Sequence, residues 1–244
     1  MSYITDTKGG QFSLFQTDTN AGDITMVGQR FATNDGREVV LAQAGAASLA
    51  SGVLVQNAAL VANHQNIAVT AYAAASVSAG TPATATATLG ATAATLNQYS
   101  GGFAIVNAGT GIGQTLQIAG NTAAALSTAC TFTFADAPLV ALDTSSKLCI
   151  IPAPYTGLVI NPTTPTNSVA GVTLYPIAAA SYGFIVARGI ASCLNDGGTT
   201  IGLGIAPSAS VAGAAATVAA TTNQIGFAAQ TGVTTESRAV YVNL

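Results

Sequence analysis

The sequence predicts an all-β protein with a jelly-roll-like or β-sandwich-like fold made of many short strands. Thr81–Leu89 alternates Thr with Ala, which is the period of two expected for a strand. Further short β-branched and aromatic runs recur between turns that contain Gly or Asn. The Ala-rich stretch Leu41–Ala62 is interrupted by glycines and by β-branched Val53 and Val55, so at most a short helix is expected there.

The candidate strands follow one another along most of the chain. In Thr81–Leu89 one face carries Thr and the other carries methyl groups, so we expect the Ala face to pack closely on a neighbour. The other candidates, each bounded by turn residues, are Phe103–Val106, Thr115–Ile118, Thr131–Phe134, Leu148–Ile151, Gly157–Ile160, Gly183–Ala187, Ile201–Ile205 and Ala239–Val242. Many short strands joined by such turns are typical of sandwiches, jelly rolls and barrels.

Prolines mark the expected domain boundary. Four of them punctuate residues 152–165, and proline removes a donor from a strand ladder, so this stretch is expected to be a connection or an edge. We therefore predict an N-terminal arm over 1–38 and a β-sandwich domain over 39–160. Residues 161–244 are expected to form a smaller β domain or to continue the sandwich.

The composition excludes several classes of protein. Half of the residues are hydrophobic, 6% are charged and the net charge is −3, which does not fit a disordered chain. Six basic residues are too few for a nucleic-acid footprint, so no nucleic-acid partner is expected. Polar residues or Gly interrupt every apolar run, so no membrane partner is expected either. The first residues do not resemble a signal peptide, so we expect the protein to stay in the cytoplasm where it is made or to leave by a route that needs no signal.

The charges are distributed unevenly. Eight of the fifteen charged side chains fall in the first 38 residues, and residues 39–135 contain none. Free surfaces normally carry charges of both signs, whereas the cores of subunit interfaces are depleted of them. We therefore expect residues 39–135 to be largely hidden in a subunit interface, or to belong to an assembly too large to move freely; in either case an oligomer follows.

No catalytic, cofactor-binding or metal-ligating residues are predicted. His64 is the single histidine and has no carboxylate nearby in sequence, so we interpret it as a turn residue that is exposed or hydrogen-bonded to its Asn neighbours. Gly109–Gly113 does not continue as a dinucleotide-binding motif, and a hairpin loop is expected. Asp18–Asp23 resembles a calcium loop only faintly because Gln29 stands where the bidentate Glu belongs.

The three cysteines match no zinc spacing. Cys130, Cys149 and Cys193 lie far apart in sequence, and their odd number leaves at least one unpaired. Free Cys is among the most buried residue types. We predict that all three are small, buried, reduced side chains.

Several segments together resemble the capsid decoration (cement) proteins of tailed bacteriophages. They are Asn34–Arg37, Ala44-Gly45, Leu49–Gln56, Ala94–Phe103, Asn107–Gln114, Ser146–Leu148, Asn161–Thr163, Tyr182–Gly189 and Ala239–Leu244. The resemblance covers most of the chain from about residue 30 onward. It implies a β-rich virion protein on the capsid surface, bound to the major capsid protein, often trimeric and without catalytic residues. The lack of charge in 39–135 departs from that family.

Two other functions remain open at this stage. One is a head or tail fibre module that binds a host-surface glycan, although a repetitive shaft sequence is not evident. The other is a hydrolase or ligand-binding β domain. For a decoration protein, apolar groups of the arm around Phe12 and Ile24 are expected to order against the shell. The alternative is that this segment is a strand of the protein's own sheet.

Overall fold

A computed structural model describes residues 27–76, 78, 80–218 and 224–244, together with the backbone of 3–5 and 11–13. In these ranges the chain is almost entirely β and contains no α-helix. A short 3-10 turn, Ala62–His64, begins at the last residue of the Ala-rich stretch Leu41–Ala62. The predicted all-β class is confirmed.

The chain forms two compact units. Unit 1 comprises 1–58 and 155–244, and unit 2 comprises 59–154, so unit 2 is inserted into unit 1 in sequence. The predicted sandwich domain over 39–160 is divided in the structure: residues 39–58 share a sheet with segments of 161–244, whereas 59–154 form a unit of their own. Strand pairing between distant segments, such as Val40 with Ile185, is the reason. The return to unit 1 at residue 155 lies within the proline-rich stretch.

Unit 2 is a closed barrel of six antiparallel strands. The strands are β6 (Ile67–Ala73), β7 (Thr84–Thr88), β8 (Phe103–Ala108), β9 (Thr115–Asn121), β10 (Ala129–Phe134) and β11 (Lys147–Ile151). Around the barrel they follow the order β10-β7-β6-β11-β8-β9. Closure leaves no open sheet edge in the barrel.

The interior of the barrel explains the Thr–Ala alternation. Ala85 and Ala87 of β7 are fully buried, while the Thr residues between them face outward. Phe132 of β10 lies opposite Ala85 and is itself fully buried. The small methyl groups therefore leave room for a large ring inside a narrow barrel. The predicted close packing of the Ala face is confirmed.

Unit 1 contains a large antiparallel sheet in which β14 is the central strand. Its strands are β3 (Arg30–Ala32), β4 (Glu38–Gln43), β5 (Leu54–Gln56), β12 (Val159–Ile160), β13 (Val169–Thr173), β14 (Tyr182–Leu194), β15 (Gly204–Pro207), β16 (Ala215–Thr217), β17 (Gly226–Ala228) and β18 (Ser237–Asn243). The first half of β14 pairs with β4 and β13, and its second half pairs with β18.

The central strands of unit 1 are buried on both faces. Val39 and Leu41 of β4 belong to one apolar cluster, whereas Val40 and Ala42 belong to another. A strand covered on both sides has a continuous apolar run instead of an alternation. The first part of the charge-free stretch, 39–56, is thus largely hidden by the core of its own unit, and a subunit interface is not needed to explain it.

The predicted arm ends earlier than residue 38. β3 pairs with β4 in the sheet, and the Gly28 N–H donates to the Leu41 carbonyl at 2.8 Å. Residues 27–38 therefore follow the alternative reading, that of strands in the protein's own sheet. Two further short strands, β1 (Tyr3–Thr5) and β2 (Gln11–Ser13), pair with each other. The other residues of the arm, including Ile24, lie outside the described residues.

The predicted strands all differ from the observed ones at one or both ends, and three of them differ most clearly. Gly157–Ile160 is reduced to two residues, and Ile201–Ile205 is displaced to Gly204–Pro207. Gly183–Ala187 is the start of a strand that runs for 13 residues. That strand continues through Gly189 because it pairs with β18 from Arg188 onward.

Candidate interaction surface

His64 is completely buried in unit 2. Its Nε2 lies 2.9 Å from the carbonyl oxygen of Thr92, and its Nδ1 is hydrogen-bonded to the hydroxyl of Tyr99. A carbonyl only accepts, so in the neutral imidazole Nε2 carries the proton and the Tyr99 hydroxyl donates to Nδ1. Both ring nitrogens are therefore occupied.

The network continues from Tyr99 across neighbouring loops. The Tyr99 N–H donates to Oδ1 of Asn121 at 2.9 Å, and the Asn121 amide donates to the carbonyls of Thr95 and Thr122. Burial raises the pKa of Tyr99 to about 12, so its hydroxyl keeps its proton at neutral pH. These bonds tie the β7–β8 and β9–β10 connections to the 3-10 turn that precedes β6.

The interpretation of His64 as an exposed turn residue bonded to its Asn neighbours is wrong. The turn is present, but the ring points inward, and Asn63 and Asn66 are the exposed residues. Sequence reasoning missed this because the partners, Thr92 and Tyr99, are 28 and 35 residues away. The one available signal that His64 is buried was its position as a lone histidine in an otherwise uncharged segment.

Gly109–Gly113 forms the β8–β9 hairpin loop, as predicted. Gly109, Gly111 and Gly113 all have positive φ angles. At Gly109 the reason for glycine is also steric, because a Cβ there would lie 2.0 Å from the carbonyl oxygen of Ser145. The close approach places this loop directly against the end of the β10–β11 connection.

Residues 109–114 and 135–146 will be called the distal loops. Alternate strands of an antiparallel barrel run in opposite directions, so the connections that follow β8 and β10 emerge at the same end. The side chain of Gln114 both donates to and accepts from the backbone of Val140, each time at 3.0 Å. The Thr110 hydroxyl donates to Oδ2 of Asp143 at 2.6 Å. The two loops are thus cross-linked.

Three large apolar side chains of the distal loops are exposed. Ile112 is 67% exposed, Leu139 is 94% exposed and Val140 is 47% exposed. We call these three residues the distal patch. Leu142 of the same loop is buried in the barrel core and anchors it. Leu139 lines a groove of about 340 Å³ together with residues that include Phe103, Leu116 and Gln117.

The charges of unit 2 lie in or directly after the same loops. Within 59–154 the charged residues are Asp136, Asp143 and Lys147. Hydrogen bonds from Ser145 and Thr110 hold the pKa of Asp143 at about 2, so this carboxylate stays ionised at neutral pH. Apart from Lys147 at the start of β11, the strands of the barrel carry no charged side chain.

Unit 1 carries most of the ion pairs. Glu38 lies 3.6 Å from Arg30 and 3.3 Å from Arg188, while Arg37 pairs with Asp35. Exposed pairs of this kind contribute little to stability, because water and salt screen the attraction between the charges. They keep this part of the surface charged and soluble.

Arg238 of unit 1 is buried, and its bonds join two loops. Its guanidinium donates to the carbonyl of Val233 at 2.9 Å and to the hydroxyl of Thr199. A Cβ at Gly232 would come within 2.4 Å of the Arg238 Cζ, so a larger residue there would displace the guanidinium. Arg238 thus fastens the loop before β18 to the loop after β14.

A groove of about 500 Å³ opens on unit 1. Val169 and Ile225 line it together with Pro165, Pro207 and Leu244. Val169 and Ile225 also belong to the core of the sheet. Its lining is mainly apolar and includes no charged side chain among the residues that form it.

The cysteines only partly follow the prediction. All three are free, and Cys130 and Cys193 are buried, but Cys149 is half-buried on β11. Burial raises the pKa of Cys193 to about 12 and also raises that of Cys130. The expectation of complete burial is wrong for Cys149, because its side chain alternates outward from the barrel between Leu148 and Ile150.

This difference predicts selective labelling. In the native protein a thiol reagent such as iodoacetamide should modify Cys149 and leave Cys130 and Cys193 unmodified, because the thiolate is the nucleophile and burial suppresses it. Peptide mass spectrometry before and after unfolding in urea measures the difference. Native labelling of Cys193 at the rate of Cys149 would contradict the described packing.

Neither a metal centre nor a membrane span emerges from the described part of the chain. No group of three or more His, Cys, Asp or Glu residues within it is placed to hold a metal ion. No helix within it is long and apolar enough to cross a membrane. The faint calcium-loop candidate, Asp18–Asp23, lies outside the described residues.

Comparisons with protein-family models, curated proteins and solved structures found no match to this chain.

Proposed function

We propose that this chain is a structural virion protein that binds the outer surface of a tailed-phage capsid and stabilises it, without catalysis. The observation that carries the proposal is the surface of unit 2, where 96 residues include three charges, all in or directly after one loop. Such a surface suits a subunit held in a large assembly better than a freely diffusing domain. The resemblance to decoration proteins points the same way.

The engagement of His64 supports a non-catalytic role. It is the only histidine in the sequence, and it is buried with both nitrogens bonded. A general base must reach the proton that it abstracts, and this imidazole has no free face toward solvent. Its geometry is that of a structural residue.

Self-association of the chain, as a homotrimer, is part of the proposal. The outer wall of the barrel presents small uncharged side chains in register across β7 and β10, such as Thr86 opposite Thr131. Such a wall can approach a second copy closely without burying a charge. Obligate interfaces of this kind bury more than about 2,000 Å².

The decisive experiment is binding to shells. Empty capsids assembled from the major capsid protein of the same genome are mixed with the purified chain and sedimented. We expect saturable binding with a fixed number of copies per shell, and a higher melting temperature of the decorated shells. Absence of co-sedimentation, or binding to a host-surface glycan in its place, would contradict the proposal.

Deletion of residues 1–26 tests the arm hypothesis. Sheet pairing is already in place at Gly28, so the truncated protein should fold with a melting temperature within about 2 °C of the full chain. If the arm is an attachment element, the truncated protein should no longer bind shells. Full occupancy by the truncated protein, or its failure to fold, would contradict this prediction.

A further inference from the structure

The distal patch places three exposed apolar side chains at the end of the barrel where the charged residues of unit 2 also lie. Single exposed apolar residues are normal on protein surfaces, but Ile112, Leu139 and Val140 lie on two loops that contact each other. Gly111 lies between them, since a Cβ there would be 3.2 Å from the Leu142 side chain and 3.5 Å from the Val140 carbonyl oxygen. The three residues therefore belong to one local surface.

The patch is held in place before any partner binds. The amide of Gln114 bridges to Val140, the hydroxyl of Thr110 bridges to Asp143, and Gly109 packs against Ser145. Binding costs less when the contact loops are already ordered. The cross-links thus present Ile112 and Leu139 as preformed anchors.

The charges around the patch favour binding to a different protein over binding to a second copy of this chain. Asp136 and Asp143 are exposed, while Lys147 is the one basic residue of the unit. Two copies meeting through this surface would bring four carboxylates together against two ammonium groups, which is repulsive at close range. A surface with Arg or Lys around an apolar depression would complement both the exposed apolar side chains of the patch and the carboxylates around it.

We propose that the distal patch docks into an apolar depression bordered by basic residues on a different protein. The inference rests on the proposed function, under which that protein is the major capsid protein. Leu139 is the main anchor because it is the most exposed of the three, and Ile112 is the second anchor, on the other distal loop. Asp136 and Asp143 pair with the basic border and orient the contact.

The test compares two matched pairs of substitutions in the shell-binding experiment. The distal variant carries Ile112→Ser and Leu139→Ser. The control variant carries Leu96→Ser and Leu126→Ser, which are 67% and 60% exposed and lie in the loops at the opposite end of the barrel. All four side chains are exposed, so both variants should keep the wild-type melting temperature.

We expect the distal variant to bind shells at least about tenfold more weakly and the control variant to bind within about twofold of wild type. Wild-type binding should weaken as NaCl rises from about 0.05 to about 0.5 M, and Asp136→Asn should reduce that dependence. Equal binding by the distal variant and wild type, or an equal loss in the control, would overturn the inference and leave the proposed function standing.

Two other outcomes also decide the matter. If the distal variant changes the oligomeric mass measured by light scattering, the patch contacts a second copy and the inference is overturned. If the wild-type chain does not bind shells, the proposed function fails, and the assignment of the capsid protein as the partner fails with it.

Discussion

Replacing Ala85 with Asp is expected to unfold unit 2. Ala85 is fully buried inside the barrel and faces Phe132 across the β7–β10 pair. A carboxylate there would be buried without a cationic partner, since the charged residues of the unit lie in or directly after the distal loops. The expected loss is about 3–5 kcal/mol, which is comparable to the stability of a small domain. Urea unfolding followed by circular dichroism measures it.

The matched control is Thr88→Asp on the same strand. Thr88 is exposed, so the barrel should retain its stability within about 0.5 kcal/mol. If the outer wall is the trimer interface, however, the same substitution should dissociate the oligomer, because it places one unpaired charge in each interface. An Ala85→Asp protein as stable as wild type would contradict the barrel interior, and a Thr88→Asp protein that remains trimeric would contradict the proposed interface.

Replacing His64 with Ala is expected to destabilise unit 2 by about 3 kcal/mol. The substitution leaves a cavity and removes the partners of the Thr92 carbonyl and the Tyr99 hydroxyl. Thermal unfolding monitored by circular dichroism gives the change. Asn63→Ala is the control, since this neighbouring side chain is exposed and its loss should cost less than about 1 kcal/mol.

A double-mutant cycle separates the His64–Tyr99 bond from the cavity effect. Tyr99→Phe removes the hydroxyl alone, and its cost should be non-additive with that of His64→Ala, with a coupling of about 1 kcal/mol. Additive costs would show that the bond contributes nothing beyond packing. A His64→Ala protein with wild-type stability would contradict the buried position of the imidazole.

The local pattern of the sequence predicts some strands closely and others poorly. Thr81–Leu89 was predicted well because one face of β7 is interior and the other is exterior, so its burial alternates as the residues do. Ile201–Ile205 was displaced because the edge of β15 depends on its pairing with β16 and β17, which lie later in the chain. The strand propensity of residues 201–205 does not indicate which strands they will pair with.

The distal patch could be anticipated only in part. The glycines of 109–113 predicted a loop, and three positive φ angles explain them. Nothing local to Leu139 indicates that it is the most exposed of the large apolar residues in the described chain. The exposure of Leu139 depends on the conformation of its loop, which Gln114 holds by a hydrogen bond to the backbone of Val140, 26 residues away.

Composition, charge distribution and the period of two were sufficient to derive an all-β chain with an unusually uncharged central region, because these properties reside in neighbouring residues. The division into two units, the closure of the barrel, the inward turn of His64 and the exposure of the distal patch depended on tertiary structure. Each of these rests on pairs of residues far apart in sequence, such as Val40 with Ile185 or His64 with Tyr99. Contacts of this kind form only when the whole chain closes its loops, and no local pattern encodes which of many similar strands will meet.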